Sequence, residues 1–397
     1  MDRRHQDIVG GLFAGAVICY LFQKWIAPKT SSKSKEEKHF DEDIVEGVEG
    51  LIGNTKLVRI KSLSEATGCD ILAKAEFLNP GNSPKDRVAL EMIQSAQDKG
   101  ELTPHQNDVV YEGTAGSTGI SLAMLCCSLG YKCHIFMPSD QSKEKSDVLE
   151  LLGAHVQRVP PAPIVDRNHF VNAAHDHALQ HTKDNSIPGK GYFSNQFENP
   201  ANWQAHYKTT GPEIWRQCGG HLDAFVAGSG TGGTMGGIAK YLKSKSPSVK
   251  ICLADPPGSG LYHKVLHGVM FDLAEREGTR RRHQVDTIVE GVGINRMTRN
   301  FSIAKPHIDY AYRITDEQAV AMSRYLIVND GLFVGSSSAI NCVAAVRLAK
   351  QLGPGHRIVT LLCDPGSRHF SKLYNPEFLK KRNLDASLPA SLDFVNP

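Results

Sequence analysis

The stretch Ala224-Phe-Val-Ala-Gly-Ser-Gly-Thr-Gly-Gly-Thr-Met-Gly-Gly-Ile-Ala239 decides the fold. Its first four residues form a short apolar run that suits a strand covered on both faces. Seven residues of glycine, serine and threonine follow, Gly228 to Thr234, and then a helical pattern over Met235–Leu242. A strand that turns through glycines into a helix presents free backbone N–H groups and the positive end of the helix dipole, which together cradle an anion. The loop also satisfies G-x-G-x-x-G through Gly228, Gly230 and Gly233, with Asp255 at the end of the next apolar run. That is the pattern of a dinucleotide-binding unit, so a nicotinamide-dependent enzyme is one reading. Thr231 and Thr234 favour the other, a terminal phosphate monoester bound by hydroxyls and N–H groups.

Outward from this unit the same rhythm repeats. Strands are expected at 71–77, 108–111, 131–137, 224–227, 249–254 and 357–363. Helices are expected to begin at Ser83 and to cover 119–129, 146–152, 235–242, 316–329 and 339–352. Alternating strands and helices predict parallel sheets, with ligands at the carboxyl ends of the strands. No short repeat is visible, and the charged stretch 275–290, with Arg280, Arg281 and Arg282, reads as a surface insertion.

Three further segments carry chemistry. In Asn79-Pro-Gly-Asn-Ser-Pro-Lys-Asp-Arg87, Ser83 suits an N-cap, Pro84 the first helical position, and Asp86 completes a capping box. Lys85 then sits in the first turn, where the helix dipole disfavours an ammonium, and a lysine of lowered pKa is what Schiff-base chemistry needs. Taken alone, the segment reads rather as an ordinary capped helix with an exposed lysine. Glu112-Gly-Thr-Ala-Gly-Ser-Thr-Gly119 is a second strand-to-helix turn able to hold a carboxylate or phosphate, or simply a tight turn. Gly331-Leu-Phe-Val-Gly-Ser-Ser-Ser-Ala339 joins two helices, and its serines either cap a helix or offer a neutral hydroxyl to a ring nitrogen.

Composition narrows the class. With 41% apolar and 22% charged residues and a net charge of +3 over 397 residues, the chain is an ordinary globular protein, and no nucleic-acid partner is expected. Nine cysteines at 19, 69, 126, 127, 133, 218, 252, 342 and 363 form no Cys-x-x-Cys pair, as expected of buried free thiols in a reducing compartment. The histidines of His169-Phe-Val-Asn-Ala-Ala-His175-Asp-His177-Ala-Leu-Gln-His181 lack an acidic or thiolate companion ligand, so no metal site is expected and the run reads as a solvated helix face. At the N-terminus, Ile8 to Phe22 is a run of fifteen residues without a charge, and Gln23, Lys24, Trp25 and Ile26 extend it to nineteen residues. That is near the minimum for a spanning helix, so an uncleaved anchor over residues 1–28 is expected, with a basic, Ser-rich linker over 29–47. A signal peptide, a transit peptide and a buried helix are the other readings.

The segments in this order and spacing resemble the cysteine synthase and cystathionine β-synthase family of pyridoxal-phosphate enzymes, fold type II. The resemblance runs from about residue 48 to 375. It opens with Leu51-Ile-Gly-Asn-Thr-Lys-Leu-Val58 and Ala73-Lys-Ala-Glu-Phe77 and passes through Asn195-Gln-Phe-Glu-Asn-Pro-Ala-Asn202 and Thr209-Thr-Gly-Pro-Glu-Ile-Trp215. Cys363-Asp-Pro-Gly-Ser-Arg368 closes it. The 112–119 segment and Glu277-Gly-Thr-Arg-Arg-Arg-His-Gln-Val-Asp286 resemble, more narrowly, membrane-anchored mitochondrial cysteine synthase-like proteins of fungi.

The resemblance implies two three-layer αβα domains, tryptophan synthase β-like. A larger cofactor-binding domain would comprise 48–78 and 203–375, a smaller substrate-closing domain 79–202, and a tail 376–397. It implies pyridoxal 5′-phosphate held by Lys85, which is also the base at Cα, with the phosphate at Gly230, Thr231, Gly232, Gly233 and Thr234 and the ring nitrogen at Ser337. The substrate carboxylate would meet Thr114, Ala115, Gly116 and Thr118, with Gln196 as a second contact. Where the family usually reads Thr-Ser-Gly-Asn-Thr-Gly, this chain has Ala115 and Ser117, so Ser117 must meet the cofactor's phenolic oxygen with a shorter arm. The implied reaction is β-replacement on an O-activated L-serine, O-acetyl-L-serine first, with sulfide, by a homodimer. A family member using another O-activated serine, or a membrane-tethered binding protein, stays open. The excess of lysines after the apolar segment places the enzyme domain on the cytosolic side of the outer mitochondrial membrane, with the endoplasmic reticulum as the alternative.

Overall fold

The computed structural model describes residues 44–141, 143–272 and 287–396. Residues 47–397 make one compact unit built on two sheets. The strands are β1 (Leu57–Arg59), β2 (Asp70–Ala75), β3 (Val109–Gly113), β4 (Lys132–Pro138), β5 (His155–Val159), β6 (Gly191–Phe193), β7 (Ala224–Gly228), β8 (Lys250–Asp255), β9 (Tyr310–Arg313) and β10 (Arg357–Leu362). The six-stranded sheet runs β1-β2-β10-β7-β8-β9 and the four-stranded sheet β5-β4-β3-β6. All pairs are parallel except β1 with β2.

Period-2 alternation gives each sheet two buried faces. Ala224, Val226, Ile358 and Leu362 pack on the helices Asp316–Asp330 and Ser336–Leu352. Phe225, Ala227, Val359 and Leu361 face the helices Gly211–Gln217 and Gly233–Lys245 on the other side. In the smaller sheet Val110, Cys133 and Ile135 pack on the helices Lys85–Asp98 and Ser117–Leu129. Val109, Tyr111 and Phe136 pack on the helix Phe170–Lys183. Both sheets are therefore three-layer, as the resemblance implied. Residues after 375 continue the larger core, with Leu379, Leu384 and Val395 buried in it.

Four sequence-based expectations need correction or qualification. The anchor is not supported: among the described residues no helix is long and apolar enough to cross a membrane. Ser336–Leu352 is 17 residues, about 26 Å against a hydrocarbon core of about 30 Å, and it carries Arg347 and Lys350. Residues 8–26, the linker to 43 and most of the charged insertion lie outside the described residues. The capping box also fails. Ser83 Oγ accepts from the N–H of Lys85 at 3.2 Å, but Asp86 turns away to the N–H of Gly81 and the hydroxyl of Ser121, both at 2.5 Å. The histidine run is not uniformly solvated: His169 and His181 are buried, His169 capping the helix at Val171 N and His181 meeting the Tyr111 hydroxyl at 3.0 Å. Of the eight described cysteines, all free, six are buried, Cys363 is half-buried and Cys127 is exposed.

A buried ion network joins the two sheets beside Lys85. Arg87 donates to Glu76 at 2.8 and 2.9 Å and to Glu213 at 2.6 and 2.8 Å, and Lys74 Nζ lies 2.6 Å from Glu213. Burial pushes the Glu213 carboxyl up, but Arg87 and Lys74 outweigh it and hold the pKa at about 2. Removing one partner strands the other charges in a dry site, so Glu213→Gln should destabilise the protein by about 3–5 kcal/mol in urea unfolding at pH 7. Because the folded pKa lies below the unfolded value of about 4.3, this contribution is complete above that pH and is lost as pH falls toward about 2. The variant should accordingly show a shallower acid loss over that window.

Candidate active site

The cavity lies at the carboxyl ends of β3, β7 and β10 and has a volume of about 450 Å³. The sheet architecture puts it there, because three strand-to-helix turns open at the same side of parallel strands. Gly228 to Thr234 leaves β7, Thr114 to Thr118 leaves β3, and Cys363 and Asp364 follow β10. Lys85 enters from the first turn of its helix. Lys85, Thr114, Ala115, Gly116, Ser117, Thr118, Gln196, Gly230, Thr231, Gly232, Thr234 and Ser337 all line this one space. Gly233 alone of the expected residues does not. It opens the helix Gly233–Lys245, and a side chain there would collide with Asn202 Oδ1.

Lys85 Nζ has no hydrogen-bond or ion-pair partner among the described residues. Burial is the main cause that lowers its pKa, with Cys363 and Asp364 opposing weakly. The sequence pointed to the helix dipole; loss of hydration is the larger effect here. Cys363, beside Lys85, is no competing nucleophile, since burial pushes its thiol up to about 12.

The glycine loop is shaped for a group that its own side chains do not satisfy. Gly232 holds φ at +93°, a conformation that disfavours any Cβ, and a Cβ on Gly230 would come within 2.6 Å of the carbonyl of Gly291. The Ser229 hydroxyl lines the cavity and is buried without a partner. Thr231 Oγ1 accepts from Asn202 Nδ2 at 2.9 Å, and Thr234 Oγ1 lies 3.1 Å from Nε2 of His206. Burial holds His206 well below its usual pKa, so a neutral imidazole backs the loop. Asp255, the acid a dinucleotide ribose would need, is fully buried, bonds the N–H of Tyr262 at 2.7 Å and does not reach the cavity. The dinucleotide reading loses its second half.

The opposite wall is fixed from behind. Thr118 Oγ1 donates to Gln196 Oε1 at 2.6 Å, and Asn202 donates to the Gln196 carbonyl at 2.6 Å. Glu112 accepts from Ser194 at 2.6 Å and from the N–H of Gln196 at 3.2 Å, and burial raises its pKa to about 7. Glu290 takes Lys145 at 3.2 Å and Lys372 at 2.6 Å. Burial pushes its carboxyl up, yet the two lysines hold it near 2. Sequence reading missed Asn202, His206, Glu290, Lys145 and Lys372, because each acts through a contact more than 25 residues away. Among the described residues, no group of three His, Cys, Asp or Glu is placed to hold a metal ion.

Comparison with known proteins agrees with this geometry. The family described as pyridoxal-phosphate dependent enzyme matches residues 48–364. Cysteine synthase 2 of Schizosaccharomyces pombe is 76% identical over 398 residues, all of both chains. A Saccharomyces cerevisiae protein provisionally described as a mitochondrial cysteine synthase is 51% identical, with 92% of this chain and 91% of that one covered. Among solved structures, a hydrogen sulfide-producing enzyme of Fusobacterium nucleatum superimposes with a TM-score of 0.69 at 30% identity, over 82% of this chain and 98% of that one. The cavity fits the cofactor: an unpartnered amine stands in the same space as a glycine loop with an unsatisfied buried hydroxyl.

An amine of lowered pKa that opens to a cavity reacts ahead of exposed lysines. With cofactor stripped, an amine-selective acylating reagent at pH 8 should modify Lys85 several-fold faster than Lys99 or Lys183, read by peptide mapping. Equal rates would mean that burial does not lower its pKa.

Proposed function

The chain belongs to the pyridoxal-phosphate dependent enzyme family, and on that premise we propose that it is a cysteine synthase. It replaces the β-substituent of an O-activated L-serine, O-acetyl-L-serine foremost, with sulfide to give L-cysteine and the released acid. The observation that carries this reading is the single unpartnered amine of Lys85 in one cavity with the Gly228–Thr234 loop. The names of the relatives at 76% and 51% identity support it.

Bound pyridoxal phosphate supplies the electron sink that acidifies the Cα proton and eases departure of the β-substituent. Lys85 would hold the cofactor covalently, and its Nζ, once the substrate amine has displaced it, is the base that takes the Cα proton. The N–H groups from Gly230 into the helix Gly233–Lys245, with the hydroxyls of Ser229, Thr231 and Thr234, hold the phosphate. Ser337 offers the ring nitrogen a hydroxyl, which cannot protonate it and so limits the sink to elimination. Thr114 to Thr118 and Gln196 hold the substrate carboxylate. Lys145 and Glu290, facing each other at the rim, narrow access for water.

The proposed division is 48–78 with 203–375 as the cofactor-binding part and 79–202 as the part that closes on substrate. The origin of each sheet's strands supports it. A mitochondrial location draws on the yeast relative alone. A second copy of the chain is the proposed partner, supported by the exposed pair Phe333 and Phe370, with ring centroids 5.6 Å apart.

Purified full-length protein should form cysteine from O-acetyl-L-serine and sulfide, and Lys85→Ala should lower kcat by about 10²- to 10⁴-fold. A cofactor-loaded wild type that forms no cysteine from O-acetyl-, O-succinyl- or O-phospho-L-serine would overturn the assignment.

A further inference from the structure

Arg368 does not line the cavity, yet it controls a residue that does. Its Nη1 donates to Ser117 Oγ at 3.1 Å and its Nη2 to the carbonyl of Gly81 at 2.6 Å. One guanidinium from the turn Gly366–His369 thus ties the start of the helix Ser117–Leu129 to the loop that leads into Lys85. Among the described residues no carboxylate takes this cation by an ion pair, although Asp364 and Asp86 lie near enough to act on it electrostatically.

A serine hydroxyl has one proton and two lone pairs, whereas a guanidinium only donates. The bond from Arg368 can therefore be made only to the oxygen, which leaves the Ser117 proton as the group's remaining capacity. Among the described residues that proton has no acceptor, and Ser117 faces the cavity that holds Lys85. Donation from a full positive charge also polarises the O–H bond, so the hydroxyl becomes a stronger donor than an isolated serine. The first-turn N–H groups add positive potential at the same point.

We propose that Arg368 is a positioning residue that makes Ser117 an obligate hydrogen-bond donor to an anionic oxygen bound beside Lys85. The oxygen belongs either to the cofactor ring or to the substrate carboxylate. This rests on the reading of Lys85 as the cofactor-bearing residue. It explains how a side chain with a single short hydroxyl serves at a position that, in the resembling family, usually holds an asparagine: the arginine aims the proton that an amide would carry by itself.

The test compares Ser117→Ala, Arg368→Met and the double variant as purified full-length proteins. Three quantities are read: the dissociation constant of pyridoxal phosphate from cofactor-stripped protein, the visible absorption of the loaded protein without substrate, and the KM for O-acetyl-L-serine beside kcat. Losing a charge-assisted hydrogen bond should weaken the relevant binding step by about tenfold to a hundredfold. If the acceptor is the cofactor, its dissociation constant rises and the absorption band moves in both single variants before substrate is added. If it is the substrate, those two readings stay at wild-type values while KM rises and kcat is kept. Either way the double variant should be no worse than the poorer single one, since Arg368 acts through Ser117. Wild-type values in all three readings for Ser117→Ala would overturn the proposal, even if Arg368→Met failed to fold. So would full additivity in the double variant. Failure of wild-type protein to bind the cofactor at all would instead reject the Lys85 reading, which the variants do not address.

Discussion

Arg87 gives up its water to four charge-assisted hydrogen bonds with Glu76 and Glu213, two residues beyond the lysine on which the site turns. Glu76 follows the central sheet directly after β2, Glu213 begins a helix on the opposite side, and Lys74 braces Glu213 from within β2. A guanidinium fork satisfied on both sides accepts only one orientation of the helix that carries it. The first turn of Lys85–Asp98 is thereby held against the larger sheet, although the rest of that helix packs on the smaller one. Burying four charges is no simple gain in stability. What the network supplies is position: it fixes where Lys85 emerges into the cavity.

From that anchor the cavity follows by topology. Parallel strands end together, and each strand that ends at this face turns into a helix or loop that contributes one wall. The glycine loop brings N–H groups and hydroxyls, the β3 turn brings Thr114 to Thr118, and the segment after β10 brings Cys363, Asp364 and the Arg368 that reaches Ser117. The walls interlock. Asn202 bonds both Gln196 and Thr231, so the Gln196 wall and the glycine-loop wall share one amide. Side chains held from behind by such bonds keep their place at the cavity, and a preorganised site needs little rearrangement when it is filled.

Much of this was legible in the chain. The six strands expected from apolar runs are β2, β3, β4, β7, β8 and β10, the interior members of the two sheets. The four strands not foreseen, β1, β5, β6 and β9, are the sheet edges, and their residues are mostly half-exposed. An interior parallel strand must be apolar on both faces, whereas a short edge strand such as Gly191–Phe193 leaves no pattern to read. The cavity-lining residues borne on glycine and threonine motifs were legible because backbone chemistry dictates those motifs locally. Those that act across the fold were not: nothing near Arg368 in sequence tells of Ser117, and nothing near His206 tells of Thr234. The capping box at Ser83 failed for the same reason, since Asp86 finds Ser121 as a tertiary partner. The apolar run at 8–26 carried an architectural expectation that no described helix sustains.

The central claim is that one unpartnered amine of lowered pKa, that of Lys85, carries the cofactor. Reduction of the cofactor-loaded full-length protein with borohydride, followed by peptide mapping, tests it directly. The account predicts a single pyridoxyl label, on Lys85. A label on any other lysine, or no label on protein that has taken up the cofactor, would contradict it.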